Sequence, residues 1–222
     1  MGTKHDPPDP EQFADDAHRS RYDPEGRWIP DGSWPFHRQA PGELEEVRRF
    51  LNTRNRESGA DLFLHVGAFR EWLRTEGVPG AGRVTAKDLA QARELRTLLH
   101  DLVRGTAFQG LHLENQWSAL TVFSRRFAVV LNFDGEPLLV ATGAGISRFF
   151  SRLLIMVFTG KSNGSWNRLK ACSNAHCRWV YFDRSKNRSA TWCADNACGG
   201  RTRARAYRAR SRVATIGSTG AA

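Results

Sequence analysis

Apolar residues recur at helical spacing through most of the middle of the chain and alternate in only a few short pieces. Leu44, Val47 and Leu51 share one face of a short helix opening at Glu43. Val66, Phe69, Trp72 and Leu73 form a second stripe, which Gly77 can end. Thr85, with Asp88 three residues on, makes a near capping box for a long helix carrying Leu89, Ala92, Leu95, Leu98 or Leu99, and Leu102. Leu113, Trp117 and Leu120 predict another helix over 111–124. The period then shortens in RFAVVLNFDGEPLLVAT, which reads as two strands around Asp134-Gly135, with Pro137 marking the second as an edge. It lengthens again over 145–159, where Ile146, Phe149, Phe150, Leu153, Leu154 and Val157 would be buried. Beyond that, Leu169 to Cys172 and Trp179 to Asp183 alternate as short strands, and a last helix of about a dozen residues should reach Arg212. The fold class is therefore α+β, a mostly helical body with one small antiparallel hairpin, followed by a compact C-terminal module.

Four segments follow from this pattern. Residues 1–41 hold most of the prolines, many acids and no periodicity, so they read as a disordered arm. Trp28, Trp34 and Phe36 in that arm are candidates for a short docking motif, set against weak packing or none. Residues 42–160 form the body, 161–213 the module, with KSNGSWNR (161–168) as the link, and 214–222 a disordered tail. The longest apolar run, Phe149 to Phe158, contains Arg152 and is too short for a bilayer, and the first residues lack a signal-peptide core. A soluble, cytoplasmic protein without a membrane partner is the expectation.

Charge changes the picture. The net charge of +10 is carried entirely by the C-terminal quarter: from Lys161 onward there are 13 basic and two acidic residues, whereas the rest is close to neutral. A cationic module on a neutral body suggests a polyanionic partner, with nucleic acid first.

All four cysteines lie in that module, as Cys172-x4-Cys177 and Cys193-x4-Cys198. Two knuckles fifteen residues apart suit a tetrahedral zinc ion, which prefers soft thiolates on tight turns. Disulfides are the alternative, and they require an oxidising compartment to which nothing in the sequence directs the chain. One structural zinc is the reading, because four thiolates keep no coordination position open. His176 is a possible substitute ligand, though an exposed loop histidine is the plainer account. The module then takes a treble-clef-like form ending in a basic helix. On that helix Ala204 and Tyr207 could face the metal core, while Arg201, Arg205, Arg208 and Arg212 line a neighbouring face that Arg203 and Arg210 widen. Arg184, Lys186 and Arg188, in the turn before the second knuckle, could clamp a phosphate backbone. Trp179 and Trp192 are assigned to the module's core.

The order Cys-x4-Cys, RWVYFDRSKNRS, WC-x4-C, then Gly-x-Arg and an Arg/Ala helix resembles the CGNR zinc finger, which closes proteins whose larger part is the ABATE domain, a group of stress-induced transcription regulators. Phe50-Leu51-Asn52-Thr53-Arg54 is similar to an element near the start of that domain. The resemblance implies a zinc-dependent DNA-binding regulator in a bacterial cytoplasm, with the body sensing a ligand or mediating assembly. By that analogy Asn52, Thr53 and Arg54 would line a small-molecule pocket, although helix-end capping explains Asn-Thr equally well. The family's tetrapeptide reads Cys198-Gly199-Gly200-Arg201 here, so Gly200 replaces its asparagine and any role of that amide is lost. An RNA-binding or protein-docking module with a purely structural zinc is the alternative. No Gly-rich phosphate loop, GxSxG elbow or HExxH motif is present, and no enzyme is expected. His100 and His112 read as ordinary helix-surface or boundary residues.

Overall fold

A computed structural model describes residues 38–107 and 113–219. The expected arm lies largely outside the described residues, as do Trp28, Trp34, Phe36, His112 and the last three residues of the expected tail.

The body is built from α1 (Leu44–Leu51), α2 (Val66–Thr75), α3 (Ala86–Ala107), α4 (Glu114–Ser124) and α5 (Gly145–Ser162). The expected stripes turn inward: Leu44, Val47, Leu51, Phe69, Leu73, Leu95, Leu99, Leu102, Leu120, Phe150 and Leu153 are all buried, while Leu113 and Trp117 are half-buried. Aromatic rings dominate the centre, with Phe63 packed edge-on to Phe69 at 4.7 Å and to Trp72 at 5.2 Å between centroids. Removing each such side chain from water is worth roughly 1.5–3 kcal/mol. The start of α3 is closed by the reciprocal box its sequence suggests. The Thr85 backbone N–H donates to Asp88 Oδ2 at 2.8 Å, and the Asp88 N–H donates to Thr85 Oγ1 at 3.3 Å.

Two strands, β1 (Val129–Leu131) and β2 (Leu139–Ala141), pair antiparallel with Val130 opposite Val140. The connection is wider than a two-residue Asp134-Gly135 turn. Asn132 N–H donates to the Leu138 carbonyl at 2.8 Å, and its side chain donates to the Gly135 and Pro137 carbonyls. Pro137, lacking an N–H for the ladder, sits in this loop rather than in the strand.

Residues 161–168 are a link in sequence and a packed corner in space. After α5 ends, Gly164 adopts a left-handed φ of 76° and Ser165–Arg168 form a 3-10 turn that buries Trp166. The turn delivers the chain into β3 (Leu169–Ala171), which pairs antiparallel with β4 (Val180–Phe182). Strand alternation divides this hairpin between two cores. Leu169, Ala171, Val180 and Phe182 belong to the core of the body. Tyr181, on the opposite face, joins Trp179, Trp192 and the four cysteines in a second, smaller core. Body and module therefore share one apolar interior along the outer face of the hairpin.

The final helix, α6 (Gly200–Thr219), passes the Arg212 end expected for it and runs through 214–219, read from sequence as tail. Arginine and alanine are strong helix formers and no proline follows Pro137, so nothing stops it earlier. Among the described residues, no helix is long and apolar enough to cross a membrane.

Candidate metal centre and basic helix

The two knuckles bring all four cysteines together. Their sulfur atoms lie within 4.8 Å of one another and every one is buried. Cys177 Sγ is 3.7 Å from Cys193 Sγ, which is 3.5 Å from Cys198 Sγ. A disulfide needs about 2.05 Å, whereas thiolates around tetrahedral zinc at about 2.3 Å stand roughly 3.8 Å apart. The donor set fits one structural zinc ion. Backbone hydrogen bonds shape the first knuckle: Cys177 and Arg178 N–H both donate to the Asn174 carbonyl, and Cys172 N–H donates to the Trp179 carbonyl at 2.9 Å. Arg178 closes the turn with a left-handed φ of 53°. His176 is exposed and stands outside the cluster.

Ionisation within the cluster is uneven. Hydrogen bonding with Cys177 raises Cys172, and hydrogen bonding with Cys172 and Cys177 raises Cys193. Hydrogen bonds from the other three thiols, with a contribution from Arg201, lower Cys198. Four buried thiolates require a cation among them, and that cation is the metal.

A second polar cluster holds the loop between the knuckles. Lys170 Nζ, on the same strand face as Tyr181, donates to Asp183 Oδ2 at 2.7 Å and to the Arg188 and Ala190 carbonyls. Asp183 is fully buried and also accepts from Ser185 N–H, Ser185 Oγ and Ala190 N–H. Burial pushes its carboxyl up, but hydrogen bonds from Lys170 and Ser185 outweigh this and hold it below the ordinary carboxylate value.

The expected phosphate clamps are tied in different ways. Arg184 is exposed, with Nη2 on the Gln39 carbonyl at 3.0 Å, while Lys186 and Arg188 are exposed in the loop.

The basic helix divides at Ala204. Arg201, expected at the head of a contact face, is instead turned inward. It forms an ion pair with Glu57 of the body, and its Nη2 lies 3.4 Å from Cys198 Sγ. The carboxylate and the thiolate replace the water that a half-buried guanidinium gives up. Arg203 pairs with Asp195 at 3.3 Å and stays exposed. From Arg205 to Ser211 every residue is exposed, including Arg205, Arg208 and Arg210. Tyr207 is 66% exposed and does not reach the metal core, because the helix has left the module by that turn. Arg212 continues the helix, with its side chain outside the described residues.

At the helix base, a Cβ on Gly199 would lie 2.9 Å from both Asp195 Oδ1 and Trp192 Cδ1, so a side chain there would force these neighbours to shift. Gly200 has a right-handed φ of −57° with open space around an added Cβ. The Cβ of a larger residue would meet nothing there.

Of the three ligand candidates, two are committed to structure. Asn52 is buried and bonded to the backbone of Val180 in β4 through both ends of its carboxamide. Thr53 Oγ1 donates to the Phe50 carbonyl and accepts from Arg96 Nη1. They cannot line a pocket because their polar atoms are already occupied. Arg54 alone faces a cavity, at the seam between body and module. His100 is there too. Burial pulls its imidazole down to about 4, so the neutral ring donates from Nε2 to the Arg178 carbonyl at 3.1 Å. Sequence reasoning missed the Asn52 clamp, the Arg201–Glu57 pair and the Lys170–Asp183 cluster. Only the last left a signal, a lysine at an alternating strand position with Asp-x-Ser closing the turn.

Comparison with known families agrees with this architecture. Residues 168–211 match the CGNR zinc finger, and residues 47–137 match a family described as "Putative stress-induced transcription regulator", ABATE. No curated protein matches the chain. The finger match and the four-cysteine cluster together mark the C-terminal module as zinc-binding.

Proposed function

For a chain that joins an ABATE segment to a CGNR zinc finger, we propose the role of a DNA-binding transcription regulator in the cytoplasm, with no catalytic activity of its own. The observation that carries this reading is the run of exposed arginines on α6, from Arg203 through Arg210, on a helix whose base is anchored to the metal cluster. Zinc supplies the structural tie that holds the knuckles. Cys172, Cys177, Cys193 and Cys198 are its ligands, and Arg201 and Thr202, bonded to Cys198, fix the base of the helix on the metal cluster. Arg205 and Arg208 lie within one turn and present planar forks that suit phosphate oxygens or the O6/N7 edge of guanine. Arg184, Lys186 and Arg188 contact the phosphate backbone from the neighbouring loop. The body senses a small ligand or mediates assembly.

Fluorescence anisotropy with duplex DNA across a salt series tests the reading. Binding should weaken with salt along a log–log line, and Arg205→Ala with Arg208→Ala should reduce its slope by about two, at about 0.9 per phosphate contact. Equal or better binding to structured RNA in competition would transfer the function to RNA. Salt-insensitive or absent binding to both would leave the helix as a protein-docking element.

A further inference from the structure

The seam between α3 and the first knuckle contains a cavity of about 60 Å³, lined by Arg54, Arg56, Thr97, His100, Asp101 and Arg178 among others. That space admits a few waters or one small oxyanion. Its charges do not balance. Arg96, also on its wall, is satisfied by Asp61 and Thr53. Arg54, Arg56 and Arg178 have no ion pair among the described residues. Asp101, the carboxylate on the wall, is already shared with Arg104 at 3.6 Å. The imbalance is felt at Arg56, which burial and then Arg54, Arg104 and Arg178 pull below its ordinary value. A pocket with surplus guanidinium groups suits an anion that carries several oxygens.

We propose that this seam is an oxyanion site, taking one phosphate group between the forks of Arg54, Arg56 and Arg178. Arg54 and Arg56 follow α1 in the body, whereas Arg178 is the residue after the zinc ligand Cys177. An anion bound among them neutralises the repulsion across the seam and ties the first knuckle to the body. The proposal deepens the ligand-sensing part of the function above, giving the sensed ligand a chemical class, but the binding event itself does not depend on DNA recognition.

The test uses the full zinc-loaded chain and inorganic phosphate, followed by isothermal titration calorimetry and by thermal melting, with chloride at matched ionic strength as the control. Saturable 1:1 phosphate binding is expected, with a rise in Tm that chloride does not reproduce. Arg56→Gln and Arg54→Gln, each at an exposed position, should weaken phosphate by about tenfold or more while zinc content stays at one per chain. A second arm adds duplex DNA to the phosphate-loaded protein. Stoichiometric displacement of phosphate assigns the site to a nucleic-acid backbone phosphate, and joint binding assigns it to a free phosphorylated molecule. Absence of saturable phosphate binding, or binding that both variants leave unchanged, overturns the proposal. Either result can occur with DNA affinity intact, so its failure is distinguishable from failure of the regulator reading.

Discussion

Asn52 and Val180 lie 128 positions apart and are joined by a two-way hydrogen bond, Asn52 Nδ2 to the Val180 carbonyl and Val180 N–H to Asn52 Oδ1, both at 2.8 Å. The carboxamide imitates one residue of a neighbouring strand on the free side of β4. Asn52→Ala would leave a buried N–H and a buried carbonyl without partners, at a cost of about 1–3 kcal/mol for each unsatisfied group. We expect a loss of roughly 2–4 kcal/mol, measured by urea denaturation. Asn52→Asp should be as harmful, since a carboxylate cannot donate to the carbonyl.

That clamp marks where the sequence stops being legible. Periodicity finds every helix of the body, because burial along one face is a local property of spacing. The metal ligands are equally visible, since knuckles are short and their chemistry depends on four residues of one kind. Asn52 is different. Its neighbour in the sequence, Leu51, ends a helix, and nothing nearby announces that the side chain reaches a strand in another module. Arg201 fails for the same reason: helical spacing assigns it to a face with Arg205 and Arg208, but Glu57, 144 positions away, turns it inward. The extent of the hairpin loop escapes too, because Asn132 rather than the Asp-Gly pair closes it.

Removal of zinc should affect more than the module. Because Leu169, Ala171, Val180 and Phe182 sit in the body's core, loss of the metal should pull on that core as well. We expect stoichiometric zinc by elemental analysis. Chelation, or Cys177→Ser, should lower the Tm of the whole chain in a single transition, with a metal contribution on the order of 10 kcal/mol. A body that melts unchanged beside an unfolded module would contradict the shared core.

Arginines on the two sides of Ala204 should behave differently. Arg201→Ala leaves Glu57 half-buried and removes a donor to Cys198 Sγ. It should lower thermal stability and speed zinc loss to a chelator, and Glu57→Gln should reproduce much of that effect. Arg205→Ala and Arg208→Ala, at exposed positions, should leave Tm within about a degree or two because surface changes rarely exceed ~0.5 kcal/mol. Their effect should fall on nucleic-acid affinity and its salt dependence. A matched set of melting curves and anisotropy titrations separates the two groups.

Acid should loosen the module through Asp183. Its folded carboxyl titrates below the unfolded value of about 3.9, because Lys170 and Ser185 hold the charged form against the cost of burial. A depressed folded pKa means that the unfolded chain binds the proton first as pH falls. The stabilisation is therefore complete above the unfolded pKa and drains away as pH drops through the folded one. Asp183→Asn should be less stable at neutral pH and should flatten the acid limb of the stability curve relative to the parent. Lys170→Met tests the other partner. With Lys170 side chain and Asp183 almost wholly enclosed, it strands a buried carboxylate, and a loss of about 3–5 kcal/mol at pH 7 is expected. That loss should shrink as the pH is lowered and Asp183 takes up its proton, a convergence of the two denaturation curves that a purely steric defect at Lys170 would not produce.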